Sequence, residues 1–213
     1  MLKVENLRTF NWEGALRGMR NPMNSWTKSD STFDENGNII NVGENDLRLM
    51  KTLFKAGTEH RKYLRQIFVS MDITAPLYYW KEADTYKVGT TSNSCSTMHK
   101  IQSKEFTENM FSCEHLNPDS MASLRSTIYK LNMYRILYNE HHDKNDWWQM
   151  IQLLPSSYNQ RRTITMNYEN VFTIIHQRSG HRLNEWNEFV EVLKTLPYVQ
   201  ELLSALDEKE TKQ

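Results

Sequence analysis

The chain has 213 residues, and its 26 lysines and arginines are balanced by 26 aspartates and glutamates, so the formal net charge is zero. That balance gives no general attraction to nucleic acid. No apolar run approaches the ~18 residues of a membrane span, the N-terminal segment lacks a signal-peptide core, and two cysteines are too few for a disulfide framework. We therefore expect a cytoplasmic protein without nucleic-acid or membrane partners, folded as a single domain over residues 1–213.

The first half of the chain predicts a loop-rich segment and then a helix, a strand and a second helix. Residues 20–45 are rich in Asn, Ser, Asp and Gly, which indicates loop with a short hairpin at Asn36-Gly37. Helical spacing of apolar residues follows in GENDLRLMKTLFKAG, with Gly57 as a C-cap. QIFVSMDITAP alternates like a half-buried strand, and Pro76 can begin a helix through LYYWKEAD.

The second half is predicted to be almost entirely helical. Residues 101–117 indicate a helix followed by a loop, and SMASLRSTIYKLNMYRILYNEHH is a strongly amphipathic helix. A shorter apolar helix, DWWQMIQLLP, stops at Pro155. NYENVFTIIHQRSG and LNEWNEFVEVLKTLPYVQELLSAL predict two further helices, and residues 207–213 a polar tail. No internal repeat or linker divides the chain.

Two groups of reactive side chains can be explained without a functional site. The run His141–Asp143 could ligate a metal, but adjacent residues do not share a helix face, so we interpret it as a solvated helix end and expect no metal. Cys95 and His99 could be a nucleophile and its base. No third group orients them, so a structural thiol is the better interpretation.

The segment Tyr86–His99, YKVGTTSNSCSTMH, is unusually rich in small polar residues directly behind the aromatic run LYYW. It could be a solvated loop. It could also offer hydroxyls and backbone N–H groups to an anion, with Lys87, His99 and Lys100 at its rim. Composition alone favours the solvated loop.

Asn167 and Arg178 form a second candidate pair. They are eleven residues apart, about three helical turns, and lie at the edge of the apolar stripe of one predicted helix. An arginine there can offer a planar pair of donors to a phosphate or a base carbonyl. A salt bridge to a neighbouring carboxylate explains the same position equally well.

The order of these segments resembles the flavin-dependent thymidylate synthases. In that family the signature R-H-R-x-x-S-x-N-E-x-S-x-R-Y follows a strand, an Ala-Pro and an aromatic segment. The segment Tyr86–His99 occupies that place, with Asn93 and Ser96 identical to the signature and Thr91 a conservative replacement.

The resemblance continues over residues 45–195. The family carries a Leu-Pro, then T-V-N-x-R leading into a helix that ends in L-R, and a helix with Q-W-E-I. Here Pro155, Asn167 and Arg178 keep that order and spacing without gaps, and LNEW follows. His60 takes the place of the family's flavin-contacting His.

The resemblance implies an α/β (α+β) fold with a small antiparallel sheet and several helices. It implies a homotetramer with active sites where subunits meet, and transfer of a methylene from methylenetetrahydrofolate to C5 of dUMP with FAD and NADPH. Arg178 and Ser96 would be the catalytic-site residues, and no cysteine would act as a nucleophile. Carried over, the residues that bind dUMP are Glu82, Ser94, Cys95, Ser96 and Arg178, and those that bind FAD are His60, Lys87, Asn93 and Asn167.

Several charged residues of the family pattern are replaced in this chain. Tyr86 and Val88 stand for the two arginines of R-H-R, Ser94 for the Glu, Met98 for the last Arg, and Glu169 for the Arg of N-x-R. Each lost charge-assisted contact is worth about 1.5–3 kcal/mol. The cations that could compensate are Lys81, Lys87, Arg161 and Arg162. Two alternatives stay open: a related enzyme for another pyrimidine deoxynucleotide, such as dCMP, and a noncatalytic nucleotide-binding oligomer that has lost flavin.

Overall fold

The computed structural model describes residues 2–210. The strands are β1 Lys3–Phe10, β2 Thr32–Phe33, β3 Ile39–Asn41, β4 Phe68–Pro76, β5 Thr90–Ser94 and β6 Asn159–Asn167. The helices are α1 Trp12–Arg20, α2 Glu44–Lys55, α3 Leu77–Ala83, α4 Thr97–Lys100, α5 Pro118–His141, α6 Lys144–Leu153, α7 Tyr168–Arg178, α8 Asn184–Lys194 and α9 Val199–Glu210. Short 3-10 turns lie at Asn21–Met23, Trp26–Lys28, Lys62–Arg65, Ile101–Ser103 and Glu108–Met110.

The main sheet is a four-stranded antiparallel sheet with the strand order β1-β4-β6-β5. In β4 every second side chain, from Val69 to Ala75, is buried, as the alternation of apolar residues predicts. A second, two-stranded sheet pairs β2 with β3 in antiparallel register. The expected α+β class with a small antiparallel sheet is therefore confirmed.

The chain forms two compact units, each with its own core. The first contains the chain up to Lys3, Ile73–Thr85 and Ser92–Thr163; the second contains Val4–Asp72, Tyr86–Thr91 and the chain from Ile164 onward. Strands β4, β5 and β6 each pass from one unit to the other along the chain, and the single-domain assignment stays a prediction.

The core of the first unit lies between α5, α6 and the segment that precedes α5. It consists of Ile101, Phe106, Phe111, Leu124, Ile128, Leu131 and Met150. In the second unit the core is built largely from aromatic contacts: Trp12 packs edge-on against Tyr168 with ring centres 5.3 Å apart, and Phe54 lies 4.6 Å from Phe172. Such pairs add to the free energy gained by burial of apolar area.

Most of the predicted elements form where the sequence indicates them. α2, β4, α3, α5, α6 and α7 match their patterns, and the hairpin at Asn36-Gly37 is present, with Gly37 at a φ of 73°. The run His141–Asp143 lies at a helix end: α5 stops at His141, and the Asp143 side chain caps α6 by accepting from the Asn145 N–H. None of the described helices has both the length and the apolar character needed to cross a lipid bilayer.

Three of the predicted elements are wrong. The helix expected after residue 101 is replaced by short 3-10 turns, because the Asn132 amide bonds both the N–H and the carbonyl of Phe106 and ties that segment to α5. The long helix expected from LNEW onward is two helices, α8 and α9, which break at Pro197 and at Tyr198, whose φ is 61°. Residues 90–94 are a strand at the edge of the sheet, not loop.

The structure also extends the helical part of the C-terminus and adds an N-terminal strand and helix. α9 continues to residue 210, so only residues 211–213 of the expected polar tail remain, and they lie outside the described residues. The sequence patterns predict neither β1 nor α1.

Candidate functional site

Arg178, the last residue of α7, has its guanidinium fixed on several sides. Its Nε donates to the Tyr86 hydroxyl at 2.8 Å, and Nη1 lies 3.0 Å from Nε2 of His181. The guanidinium carbon is 4.5 Å from the ring centre of Trp186 and 5.5 Å from that of Tyr86. A guanidinium packed against aromatic rings keeps its charge and loses little further freedom when it binds a ligand.

The groups that hold Arg178 are themselves anchored. The Tyr86 hydroxyl donates to Oε1 of Gln177 at 3.0 Å, and Nδ1 of His181 accepts from the Leu183 N–H at 3.1 Å. A neutral imidazole has one acceptor nitrogen, so His181 can accept from the Leu183 N–H at Nδ1 or from Arg178 Nη1 at Nε2, according to its tautomer. The Arg178 guanidinium itself is a planar set of donors, an arrangement that suits a carboxylate or phosphate oxygen.

The opposite end of α7 holds a loop in place. Asn167 caps the helix by accepting from the Asn170 N–H at 3.0 Å. The Asn170 amide donates to the Val88 carbonyl at 2.7 Å and to the Thr90 hydroxyl at 2.8 Å. Gly89, at a φ of 73°, approaches so closely that a Cβ there would lie 2.5 Å from Nδ2 of Asn167. Only glycine fits this position without displacing Asn167.

The N-terminal end of α7 also carries an ion pair with Arg61. Arg61 forms a bidentate ion pair with Glu169 of the first helical turn, with Nη2–Oε1 at 2.7 Å and Nε–Oε1 at 3.0 Å. His60 directly precedes Arg61, and Lys87 precedes the loop that Asn170 holds. The side chains of His60 and Lys87 are both exposed. Because Arg61 neutralises Glu169, the carboxylate that replaces the family arginine does not make this end repulsive to anions.

Ser96 lies in the first unit, at the rim of a cavity of about 440 Å³. The lining residues include three cationic side chains, Lys100, Lys104 and Arg161, and an apolar side formed by Phe106, Met110 and Tyr158. Burial, and to a smaller extent Cys95, raises the pKa of Tyr158, so its phenol stays protonated and can donate a hydrogen bond. The cavity suits a ligand that is apolar on one side and anionic on the other.

The polar groups around Ser96 are partly committed to the fold. Ser96 Oγ caps α4 by accepting from the backbone N–H groups of Met98 and His99 at 3.2 and 3.1 Å. The Cys95 N–H donates to the Arg161 carbonyl at 2.9 Å, so it cannot also join the backbone cradle expected from Ser94 to Ser96. Cys95 is exposed and lines the cavity. Its interpretation as a structural thiol stays a prediction.

The remaining sequence-predicted residues are on β5 and α3. Asn93 and Ser94 are exposed on β5, and Glu82 lies on α3. Arg162 is not a free replacement cation, because it pairs with Asp84 at 2.7 Å and stacks over Trp80 at 4.3 Å. Of the arginines proposed to compensate for the lost motif, Arg161 alone reaches the cavity.

Sequence reasoning missed the residues that surround Arg178. Tyr86 was noted only as a replacement for an arginine, and His181 and Trp186 were not singled out. LNEW was a signal for Trp186, since the family carries a Trp in that helix. Lys104 was missed as well. It follows Lys100 by four residues, a spacing that places two side chains on the same face of a helix.

No family model and no curated protein matches the sequence. Among solved structures, thymidylate synthase X from Helicobacter pylori with FAD and dUMP superposes with a TM-score of 0.68 at 18% identity, covering 97% of this chain and 99% of that one. A second structure of that enzyme, also with FAD and dUMP, gives a TM-score of 0.64 at 18% identity, with coverage of 92% and 94%. The UMP/dUMP methylase PolB from Streptomyces cacaoi, bound with 5-Br dUMP, superposes with a TM-score of 0.62 at 12% identity, covering 96% of this chain and 95% of that one.

The chain thus has the fold of the flavin-dependent thymidylate synthases over nearly its whole length. The resemblance inferred from the sequence motifs over residues 45–195 is confirmed at the level of the fold, and the structural match also extends beyond those residues.

Proposed function

We propose that the protein is a flavin-dependent thymidylate synthase, which methylates dUMP to dTMP with methylenetetrahydrofolate and NADPH. The observation that carries this proposal is the guanidinium of Arg178, which donates to the Tyr86 hydroxyl and packs against Trp186, in a fold shared with enzymes crystallised with dUMP. A fixed planar pair of donors recognises a phosphate or a uracil carbonyl with little loss of entropy.

The cavity beside Ser96, taken by itself, is assigned to an anionic group such as a phosphate. Lys100, Lys104 and Arg161 supply three positive charges there, and they take over from the arginines that the signature has lost. Hydrogen bonds to charged groups contribute about 1.5–3 kcal/mol each, so three of them compensate for most of that loss. Ser96 can donate its hydroxyl hydrogen to the same phosphate while its oxygen caps α4.

FAD is assigned to the N-terminal end of α7. The residues there fit a group rich in acceptor oxygens: His60 and Lys87 are exposed, the Asn167 amide is a donor, and Arg61 cancels the charge of Glu169. In this proposal His60, Lys87 and Asn167, together with Asn93, hold and orient the cofactor. When bound, flavin would supply the hydride that completes the methyl group.

The first experiment asks whether the purified protein binds flavin and turns over dUMP. We expect a yellow protein that absorbs near ~450 nm, and release of tritium from C5-labelled dUMP in the presence of methylenetetrahydrofolate and NADPH. Release of tritium from labelled dCMP instead would identify dCMP as the substrate. This alternative is motivated by Ser94, which stands where the family has a Glu, and by Glu82, which stands where it has a Gln that contacts the nucleotide. The enzyme proposal would be overturned if the protein stays colourless after FAD is added and releases tritium from neither nucleotide.

The second experiment tests Arg178 directly. Arg178→Ala should lower dUMP affinity by about tenfold to a hundredfold, the equivalent of one charged contact of about 1.5–3 kcal/mol, without unfolding the protein. Arg182→Ala removes an exposed arginine four residues further on and is the matched control. Isothermal titration calorimetry measures both variants. Equal affinities for the two would show that Arg178 does not bind the nucleotide.

A noncatalytic nucleotide-binding oligomer is the second candidate function. It is favoured by one observation, that an Arg61–Glu169 ion pair stands where the family has an arginine available to a ligand. This candidate predicts dUMP binding that depends on Arg178 in a protein that cannot be loaded with FAD. The same calorimetry and visible spectra therefore separate it from the enzyme.

A further inference from the structure

Arg61 presents one edge of its guanidinium to Glu169 and leaves the other end without a protein partner. Its Nε lies 3.0 Å from Oε1 and 3.2 Å from Oε2 of Glu169, and its Nη2 lies 2.7 Å from Oε1. The guanidinium carbon is 5.2 Å from the ring centre of Phe54. Because the carboxylate holds one edge and the ring packs on the cation, the plane of the guanidinium is fixed.

The end of Arg61 without a protein partner is Nη1. This nitrogen carries two of the five N–H donors of the guanidinium, and it donates to none of the described residues. In the described part of the chain, the buried side-chain atoms without a hydrogen-bond partner are Arg20 Nη2 and Gln102 Oε1, so Nη1 of Arg61 is open to solvent. The side chain as a whole is only 20% exposed. A mostly packed cation therefore offers two accessible donors.

The local structure places this cation at the N-terminal end of α7. Glu169 lies in the first turn of α7, two residues after the capping residue Asn167. Arg61 follows the exposed His60 in the connection between α2 and β4, and its backbone N–H donates to the Gly57 carbonyl at 3.2 Å. The cation is thus held through its backbone and through its side chain, in the part of the fold to which FAD is assigned.

The ion pair exchanges the positions of the two charges expected from the N-x-R pattern. That pattern has an arginine on α7 where this chain has Glu169, and an unpaired carboxylate there would repel an anion. Glu169 is 15% exposed, and both of its oxygens bind Arg61. The positive charge at this end of α7 therefore comes from the connection that precedes β4, and the acidic residue on α7 orients it.

We propose that Arg61 donates from Nη1 to a phosphate oxygen of FAD, and that Glu169 is the residue that positions Arg61. This inference rests on the proposed function, because it concerns the same cofactor. The pyrophosphate is the anionic part of FAD, and a guanidinium matches phosphate oxygens in charge and in geometry. Glu169 occupies the Nε edge, so the Nη1 end is the one presented to the cofactor.

The test compares the wild type with the double variant Arg61→Gln/Glu169→Gln. The pair is neutral overall in both proteins, and the variant leaves no buried charge without a partner. Titration of FAD, followed by flavin fluorescence, should show an affinity lower by about tenfold to a hundredfold, the equivalent of one charged hydrogen bond. Arg65→Gln is the matched control. It removes an exposed arginine that donates to the Thr58 carbonyl, and it should bind FAD like the wild type.

Two further measurements separate this role of Arg61 from a structural one. Added salt should weaken FAD binding more in the wild type than in the double variant, because salt screens a contact between charges. Calorimetry at saturating FAD should give an unchanged affinity for dUMP, since Arg178 lies at the other end of α7. Equal salt dependence in the two proteins, or an equal loss of affinity for FAD and for dUMP, would overturn the role given to Arg61.

Failure of this inference and failure of the proposed function give different results. If the wild type binds FAD and the double variant binds it equally well, the cofactor assignment stands and Arg61 has no part in it. If the wild type cannot be loaded with FAD, the enzyme proposal is overturned and this inference with it.

Discussion

At the scale of single residues, the replacement of a family arginine by Tyr86 changes what that position can do. An arginine at this position would contact the ligand directly with its positive charge. Tyr86 instead accepts from Arg178 Nε at 2.8 Å and donates to Gln177 at 3.0 Å, so it acts on Arg178. Its ring also lies 5.5 Å from the guanidinium carbon. Tyr86 is in this proposal a positioning residue for the cation that binds the nucleotide.

Tyr86→Phe is expected to lower dUMP affinity about tenfold, because Arg178 Nε then loses its acceptor while the ring contact remains. The melting temperature should change little, since the ring is kept. Tyr138→Phe, near the C-terminal end of α5, is the control. Calorimetry on both variants decides the matter: wild-type affinity in Tyr86→Phe would mean that the phenol hydroxyl has no part in positioning Arg178.

The sequence located Arg178 and Asn167 correctly at the two ends of one helix, because their spacing and the apolar stripe between them are local properties. It could not locate Tyr86, whose partner is 92 residues away. It also could not show that Arg162 is occupied by Asp84 and Trp80 while the neighbouring Arg161 reaches the cavity. Which of two adjacent cations lines the cavity depends on the strand that carries them, since successive side chains point to opposite faces.

At the scale of elements, Asp46 shows how one buried carboxylate can organise a loop. It lies on α2, pairs with Arg20 of α1, and accepts four further hydrogen bonds from residues 29–31. Composition predicted loop for residues 20–45, and the structure agrees apart from the short hairpin and turns. What the composition could not predict is that this loop is fixed to two helices through a fully buried ion pair.

Asp46→Asn is expected to destabilise the protein by about 3–5 kcal/mol, because it leaves the buried charge of Arg20 uncompensated. The folded pKa of Asp46 is lowered, so its contribution to stability is fully present above the unfolded value of about 4 and is lost as pH falls below it. Urea unfolding at several pH values measures this effect. The variant should lose part of the acid sensitivity of the wild type below about pH 4, whereas Glu35→Gln, at an exposed position, should keep it in full.

At the scale of the whole molecule, the resemblance to the family predicted more of the fold than the periodicity of apolar residues did. Ordered motifs over residues 45–195 implied the fold, and structures with 12–18% identity share it over more than nine-tenths of the chain. Periodicity alone missed the break between α8 and α9, because the apolar pattern continues across it, although Pro197 is a helix breaker in the sequence. It also missed β5, whose exposed polar side chains give no alternation of apolar and polar residues.

The proposed homotetramer needs an interface, and α5 offers an apolar surface for one. Tyr129, Met133 and Ile136 are 72%, 38% and 49% exposed and follow one another at intervals of four and three residues, so they lie on one face of a 24-residue helix. A row of exposed apolar side chains on one helix face is a common site of contact between copies of a chain. We assign this face to contact with a second copy.

Ile136→Glu should prevent that contact, because a carboxylate would be buried without a partner. We expect light scattering to give about four times the chain mass of 25.4 kDa for the wild type and a smaller particle for the variant. Lys130→Glu, which places a carboxylate on a neighbouring face of α5, should leave the assembly intact. Since the proposed active sites form where subunits meet, Ile136→Glu should also lose dUMP turnover while it keeps a wild-type circular dichroism spectrum. A tetrameric Ile136→Glu variant would exclude this face of α5 from the interface.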